Sequence, residues 1–163
     1  MTTVHVVIDT GYLLELYRIP DKHDRERHDL VKQSSAKAVA DGHRLNVPLP
    51  VVMEVARSIS HLKKGDQRRG IAQAFSEAVC SSLETMVPWV ITPHPDLQSL
   101  AKLMRHWADG CATLGLSLTD TSVAAEAERI KSHLRATTGG RVHIWTFDRA
   151  LKAREPDSQP AQL

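Results

Sequence analysis

The sequence predicts an α/β protein: a three-layer α/β/α domain with a mainly parallel central sheet. Short runs rich in β-branched residues alternate along the chain with longer segments whose apolar residues recur at helical spacing. Strands that are separated by helices pair in parallel, because a parallel neighbour needs a crossover connection. These two observations carry the predicted fold class.

The predicted strands are short apolar segments that end at turn residues or at an acid. The first is almost entirely β-branched, which is typical of a strand buried on both faces. The other three are bounded by Gly, Pro or Asp, residues that interrupt strands. In chain order the four predicted strands are Val4–Ile8, Leu45–Pro48, Met86–Thr92 and Val142–Thr146.

The predicted helices lie between these strands. Gly11 permits a sharp turn after the first strand, and Gly42 stands where a helix C-cap glycine is expected. Pro50 can begin a helix whose apolar stripe leaves Glu54 outside it. Lys63–Gly70 is polar and basic, which predicts a connection rather than a helix. Apolar residues recur at helical spacing in the five predicted helices, Arg25–Ala40, Pro50–Leu62, Ile71–Leu83, Leu97–Trp107 and Asp120–Leu134.

Length and composition bound the remaining possibilities. At 163 residues we expect a single domain over residues 1–153, followed by a Pro/Gln/Ser-rich flexible tail over residues 154–163. No apolar run is long enough to span a bilayer, and the N-terminus does not resemble a signal peptide, so we expect a cytoplasmic protein without a membrane partner. Two cysteines form no disulfide framework. The net charge of +2 leaves the partner open.

Four acids fall where a parallel sheet gathers its ligands, outside the carboxyl ends of the strands. Asp9 and Asp148 each follow a predicted strand. Glu54 lies in the first turns of the helix after the second strand, so it starts from the same edge. Asp120 begins a later helix and falls beside its apolar stripe, which directs the carboxylate inward. We therefore expect the four side chains to converge.

Converging carboxylates repel one another unless a cation lies among them. Oxygen ligands favour hard ions such as Mg²⁺ or Mn²⁺, and Mg²⁺ takes one or two carboxylates together with substrate phosphate oxygens. Such an ion can activate water and stabilise a leaving oxygen. The four acids thus predict a metal site suited to phosphodiester hydrolysis.

Four short motifs, taken in order, resemble the successive motifs of PIN domains, and the resemblance spans nearly the whole chain. The motifs are Val6-Val7-Ile8-Asp9-Thr10, the segment Pro48–Glu54, Thr119-Asp120 at the start of an Ala-rich helix, and Ile144-Trp145-Thr146-Phe147-Asp148-Arg149. Each motif is weak alone, and their order is more specific.

The resemblance implies an Mg²⁺- or Mn²⁺-dependent endoribonuclease that cuts RNA. PIN domains are often the VapC-type toxin of a toxin–antitoxin pair, so an antitoxin protein and a homodimer are implied as partners. By the same resemblance, Asp9, Glu54, Asp120 and Asp148 would be the catalytic metal ligands, and Thr146 would orient the site by hydrogen bonding.

Several basic residues could contact RNA phosphates. For most of them a solvated surface position is the simpler interpretation. Arg149 is the exception, because it adjoins Asp148, and we predict that it binds substrate. The full set is Arg57, Lys63, Lys64, Arg68, Arg69 and Arg149.

Each acid also has a structural interpretation. Ser117-x-x-Asp120 matches a capping box, in which the acid would bond to the helix backbone. Asp148 could cap a short following helix, and Asp9 could bind the backbone of the turn after it. A solvated Glu54 needs no function. The functional interpretation therefore depends on the four acids acting together.

Other functions are weighed against the nuclease. A PIN-like module could bind RNA or a protein without cutting, since a fold does not fix a function. A phosphotransferase with an aspartyl intermediate would require a second acid two residues after Asp9, where Gly11 stands. The chain contains neither a P-loop nor a dinucleotide-binding glycine motif.

Overall fold

A computed structural model of the chain describes residues 3–20, 22, 24–93, 96–137 and 139–158, and within them it has an α/β fold around an all-parallel sheet. The sheet order is β3-β2-β1-β4. The predicted fold class is confirmed. The strands are β1 (Val4–Ile8), β2 (Arg44–Pro48), β3 (Val90–Thr92) and β4 (Arg141–Trp145).

Helices connect the strands. None of them, over the residues described, combines the length and apolar character needed to cross a bilayer. A π-helical turn, Trp107–Cys111, and a 3₁₀ turn, Ala112–Leu114, join α5 to α6. The α-helices are α1 (Thr10–Leu16), α2 (Arg25–Ala40), α3 (Leu49–Ser60), α4 (Gly65–Thr85), α5 (Leu97–His106), α6 (Leu118–Ala136) and α7 (Arg149–Lys152).

Helices cover both faces of the central strand β1. Val4 and Val6, which point to one face, line a cavity of about 260 Å³ together with Ser34 and Ala38 of α2. The opposite face is covered by α6, which contacts β1, β2 and β4. Val6, Val7 and Ile8 are almost fully buried, as expected for a central parallel strand. The arrangement is consistent with three α/β/α layers.

Two predicted boundaries and one predicted turn are wrong. The segment Lys63–Gly70 is not entirely a connection, because α4 already begins at Gly65. Its first turns are solvated, so they carry no apolar period to reveal the helix. β3 is shorter than predicted, since Met86 instead caps α4 in a left-handed conformation and Pro88 has no N–H for a ladder. Gly11 forms no sharp turn and lies inside α1.

The edge strand β4 is covered by the chain segment that follows α7. Asp157 exchanges two bonds with Val142: the Val142 N–H donates to Asp157 Oδ2 at 2.7 Å, and the Asp157 N–H donates to the Val142 carbonyl at 3.2 Å. The Ile144 N–H donates to Glu155 Oε1 at 2.8 Å, and Lys152 Nζ donates to the Ile144 carbonyl at 2.9 Å. Side chains thus occupy positions that a further strand would otherwise take.

These bonds correct the predicted tail. The chain is not loose from residue 154, because Glu155 and Asp157 are fixed to β4 and Asp157 also pairs with Lys131 at 2.7 Å. Residues 159–163 of the predicted tail, and residues 1 and 2 of the predicted domain, lie outside the described residues.

Candidate functional site

The candidate site lies at the carboxyl edge of the sheet, where the strand order reverses. β2 and β3 extend the sheet on one side of β1, and β4 lies on the other side. Asp9 follows β1 directly, and Thr146 follows β4. Parallel sheets bind ligands in the crevice at such a switch point, so the fold brings these two residues to a position suited to chemistry.

Asp9 is the buried centre of the site, with 6% of its surface exposed. One carboxylate oxygen, Oδ1, accepts from the Thr10 N–H at 2.6 Å and so caps the N-terminus of α1. The other oxygen, Oδ2, accepts from the Thr146 hydroxyl at 2.8 Å. This last bond ties the ends of β1 and β4 together.

The environment of Asp9 raises its pKa from 3.8 to about 6. Burial is the largest cause, because it disfavours the charged form. The nearby carboxylates of Asp120 and Glu54 raise the pKa further, whereas the hydrogen bonds from Thr146 and Thr10 lower it. The two acids that act on Asp9 stand at sequence distances of 111 and 45 residues, so the fold has brought them together.

Glu54 is held by a residue to which the sequence assigned no role. The Thr10 hydroxyl donates to Glu54 Oε2 at 3.2 Å, which links the first turn of α1 to the exposed side of α3. Thr10 therefore contacts both acids, through its backbone N–H to Asp9 and through its side chain to Glu54. The only sequence signal for this role is the position of Thr10 directly after Asp9.

Asp120 forms the capping box that the sequence offered as its structural interpretation. The Ser117 N–H donates to Asp120 Oδ2 at 2.7 Å, and the Asp120 N–H donates to Ser117 Oγ at 3.0 Å. Oδ1 makes no bond with any residue that the structure describes. Asp120 thus combines a cap with an electrostatic effect on Asp9.

Asp148 is exposed and also caps a helix. Its Oδ1 accepts from the backbone N–H groups of Ala150 and Leu151 at 2.7 and 3.0 Å, at the start of α7. Its own backbone N–H donates to the Thr146 hydroxyl at 3.0 Å. Thr146 therefore connects Asp148 to Asp9, and the Asp148 carboxylate is not among the charges that shift the pKa of Asp9.

The four predicted acids thus separate into an inner set and an outlier. Asp9, Glu54 and Asp120 are neighbours, whereas Asp148 is joined to them through Thr146. None of the four takes part in the salt bridges found over the described residues. In that same part of the chain, no group of three or more His, Cys, Asp or Glu side chains is close enough to hold one ion.

An aromatic stack fixes a cation beside this edge, and the sequence did not predict it. The ring of Phe147 stacks on that of Tyr12, with centroids 5.7 Å apart and an interplanar angle of 16°. The Arg27 guanidinium lies 5.0 Å from the Phe147 centroid. Arg149, predicted to bind substrate, is exposed as the first residue of α7. Both arginines border the segment that carries Thr146 and Asp148.

We predict that Thr146→Val raises the pKa of Asp9 above its present value of about 6, because it removes a hydrogen bond to the ionised carboxylate. The loss of both hydroxyl contacts should also destabilise the chain by about 1–3 kcal/mol. A carbon-detected NMR titration of the Asp9 carboxyl, in metal-free buffer, measures the shift. Thr146→Ser keeps the hydroxyl and should titrate like the wild type. An unchanged pKa in Thr146→Val would contradict the hydrogen bond.

Neither the protein-family models nor the curated proteins with which the chain was compared match it. The likeness to PIN domains therefore depends on the four motifs of the sequence, and the family remains a prediction.

Proposed function

We propose that the protein is a PIN-like endoribonuclease that depends on Mg²⁺ or Mn²⁺ and hydrolyses RNA phosphodiester bonds at the carboxyl edge of its sheet. One observation carries the proposal. Asp9 is buried beside Asp120 and Glu54, without a compensating basic residue among the described salt bridges. Burying one acid among others is costly unless a cation or a function accounts for it.

The donor set suits a hard divalent ion. All candidate ligands are carboxylate oxygens. Burial and the charges of Asp120 and Glu54 raise the pKa of Asp9, and a cation among these acids would favour the ionised form. An Mg²⁺ ion keeps several waters and needs only one or two carboxylates, so a compact group of three is not required. Asp9 and Asp120 would hold the ion, with Glu54 beside them. When bound, the ion would supply Lewis-acid activation and charge stabilisation at phosphorus.

The chain's own residues would orient the acids. Thr146 and Thr10 fix the two oxygens of Asp9, so the carboxylate needs no reorganisation during a reaction. The capping bonds hold Asp120 by Oδ2, which leaves its Oδ1 for a ligand or for the proton of an attacking water. Asp148 is held by Oδ1 in the same way and would bind water or substrate from the exposed side.

The cations that border the site support a phosphodiester substrate. Arg27 is fixed over Phe147, and Arg149 adjoins Asp148. Arginine binds phosphate through a planar set of donors, and both side chains could reach a backbone that enters the crevice. A flexible single strand or loop is the preferred substrate, because an in-line attack geometry is easier to reach there.

The biological role follows from the resemblance alone. A VapC-type toxin would act in the cytoplasm, would be neutralised by an antitoxin protein and would form a homodimer. We extend the proposal to that role on the strength of the four motifs. Genes adjacent to the one for this chain would test it, since an antitoxin would be encoded next to its toxin.

A cleavage assay tests the nuclease. Purified protein is incubated with end-labelled single-stranded RNA, with Mg²⁺, with Mn²⁺ or with EDTA. We expect internal cleavage with either ion, none with EDTA, and a loss of cleavage in Asp120→Asn. Asp41→Asn is the matched control, because Asp41 is exposed and precedes β2 at the opposite edge of the sheet. Equal activity in Asp120→Asn and Asp41→Asn would refute the assignment of Asp120 to a nuclease site.

A non-catalytic module that binds RNA or protein is the second candidate. It is favoured by the capping bonds of Asp120 and Asp148, which give both acids a structural use. The same assay separates the two candidates. RNA that is bound but remains intact with both ions would favour the module.

A further inference from the structure

A cleft of about 740 Å³ begins at Glu54 and leads away from the candidate site. It lies between the segment after α1, the exposed side of α3 and the start of α4. We call it the basic groove, and its lining residues are Ile19, Pro20, Lys22, Glu54, Arg57, Ser58, His61, Leu62, Lys63, Lys64 and Gln67.

The groove is strongly cationic although the chain as a whole carries only +2. Among the described residues, four basic side chains line it against one carboxylate, that of Glu54, and His61 adds an imidazole. The basic side chains are Lys22, Arg57, Lys63 and Lys64. A cleft lined by charges of one sign concentrates counter-charged ligands. A local excess of positive charge therefore lies beside Glu54.

The helix end at the groove adds to this charge. α4 has 21 residues, and its N-cap residue, Lys64, makes no side-chain capping bond. The first N–H groups of α4 and the positive end of its dipole therefore face a region already lined by Lys63 and Lys64. Asp66 in the first turn offsets part of this charge. Near the end of α3, the Arg57 carbonyl accepts from the His61 ring. The Leu62 carbonyl accepts from the Arg68 guanidinium.

Several lining residues of the basic groove follow one face of α3. Glu54, Arg57, Ser58 and His61 recur at three- and four-residue spacing, so they share one face of α3. The seven steps from Glu54 to His61 correspond to about 10 Å along the helix axis. A ligand that follows this face thus meets Glu54 at one end and a row of donors beyond it. Such a shape fits an extended polyanion better than one compact anion.

We propose that the basic groove binds the sugar–phosphate backbone of single-stranded RNA on one side of the bond to be cut. Efficient cleavage then requires a substrate that extends from Glu54 along α3 towards His61. The inference rests on the proposed nuclease for the position of the cut. Cations along the groove would bind the phosphates, whereas Pro20 and Leu62 provide apolar surface for sugars or bases.

Binding is measured without cleavage. A fluorescein-labelled oligouridylate is titrated with the wild-type chain in EDTA at several salt concentrations, with anisotropy as the readout. The variant K63S/K64S should weaken binding by about tenfold near 0.15 M salt and reduce the slope of log affinity against log salt by about 1.4. Serine is a favourable N-cap, so α4 should remain folded. Circular dichroism checks this.

The control variant is K32S/R135S, which removes the same charge from exposed positions on α2 and α6 outside the groove. Its affinity and salt slope should match the wild type. Equal losses in both variants would overturn the inference, because they would indicate a diffuse electrostatic effect. Failure of the wild type to bind oligouridylate, or displacement of the RNA by polyglutamate at equal charge, would also overturn it, the latter in favour of an acidic protein partner.

Cleavage of a length series separates this inference from the nuclease proposal. The wild type should cut long oligonucleotides faster than short ones, and K63S/K64S should lose that preference. If K63S/K64S cleaves RNA with an unaltered length preference, RNA binding by the basic groove is refuted and the nuclease proposal is unaffected. Groove-dependent binding without any cleavage refutes the nuclease and supports backbone binding.

Discussion

Asp9→Asn is expected to reduce RNA cleavage strongly while leaving the folded chain at least as stable as the wild type. Asparagine preserves the shape of the side chain and caps a helix as well as aspartate, and with its oxygen on the Thr10 N–H its amide group can donate to the Thr146 hydroxyl. It lacks the negative charge that would hold a divalent ion. We expect activity to fall by a factor on the order of 10²–10³, as when one preorganised electrostatic group is removed.

The stability of Asp9→Asn should depend on pH in a defined sense. The pKa of Asp9 is about 6 in the folded state, above its ordinary value of 3.8, so the folded state binds this proton more tightly. Asp9 therefore contributes its full stability below about pH 3.8, and this contribution, up to roughly 3 kcal/mol, is lost as pH rises through about 6. The variant has no such loss.

Urea unfolding in metal-free buffer, from pH 4 to pH 8, measures this difference alongside the cleavage assay. Asp41→Asn again serves as the matched control and should keep both activity and the wild-type pH dependence. Retained cleavage in Asp9→Asn would remove Asp9 from the active site. A variant less stable than the wild type at pH 8 would instead show that the ionised carboxylate stabilises the fold.

Glu155→Ala should cause a large loss of stability with no direct effect on the acids of the site. The Glu155 side chain is 4% exposed and accepts from Lys152 Nζ at 2.6 Å and from the Ile144 N–H at 2.8 Å. His143 Nδ1 lies 3.6 Å from the same oxygen. Removing one partner of a buried pair leaves unpaired groups behind, and we expect a cost of roughly 3 kcal/mol.

Equilibrium urea unfolding tests this expectation, with Glu128→Ala as the control because Glu128 is exposed on α6. Glu155→Gln keeps an acceptor for the Ile144 N–H and should lose less than the alanine variant. A Glu155→Ala protein as stable as the control would show that the segment after α7 contributes nothing to the fold.

The sequence predicted the elements of the fold better than their ends. β1 is detectable because β-branched residues on both faces of a central strand must be buried, and α2 because its apolar residues recur on one side. The start of α4 gave no such signal, since its first turns face solvent. The bonds of Glu155 and Asp157 to β4 were also undetectable, because a polar segment bound through side chains has no period.

The site was predictable to the extent that strand ends determine it. Asp9 and Thr146 follow parallel strands, so their meeting at one edge follows from topology. The contact of Thr10 with Glu54 depends on how closely α1 approaches α3, which no local pattern specifies. For Asp120 the sequence offered a cap and a metal ligand as alternatives, and the structure shows the cap. The cap uses one carboxylate oxygen of Asp120 and leaves the other, so metal binding by Asp120 stays a prediction.

Both edges of the sheet disfavour the addition of further strands. On one side, Glu155 and Asp157 occupy the outward backbone groups of β4. On the other, β3 spans only Val90–Thr92, and the prolines that flank it, Pro88 and Pro93, have no N–H to offer. Over the described residues, both edges are therefore poor templates for an added strand. We expect a second copy of the chain to associate through helices and side chains instead.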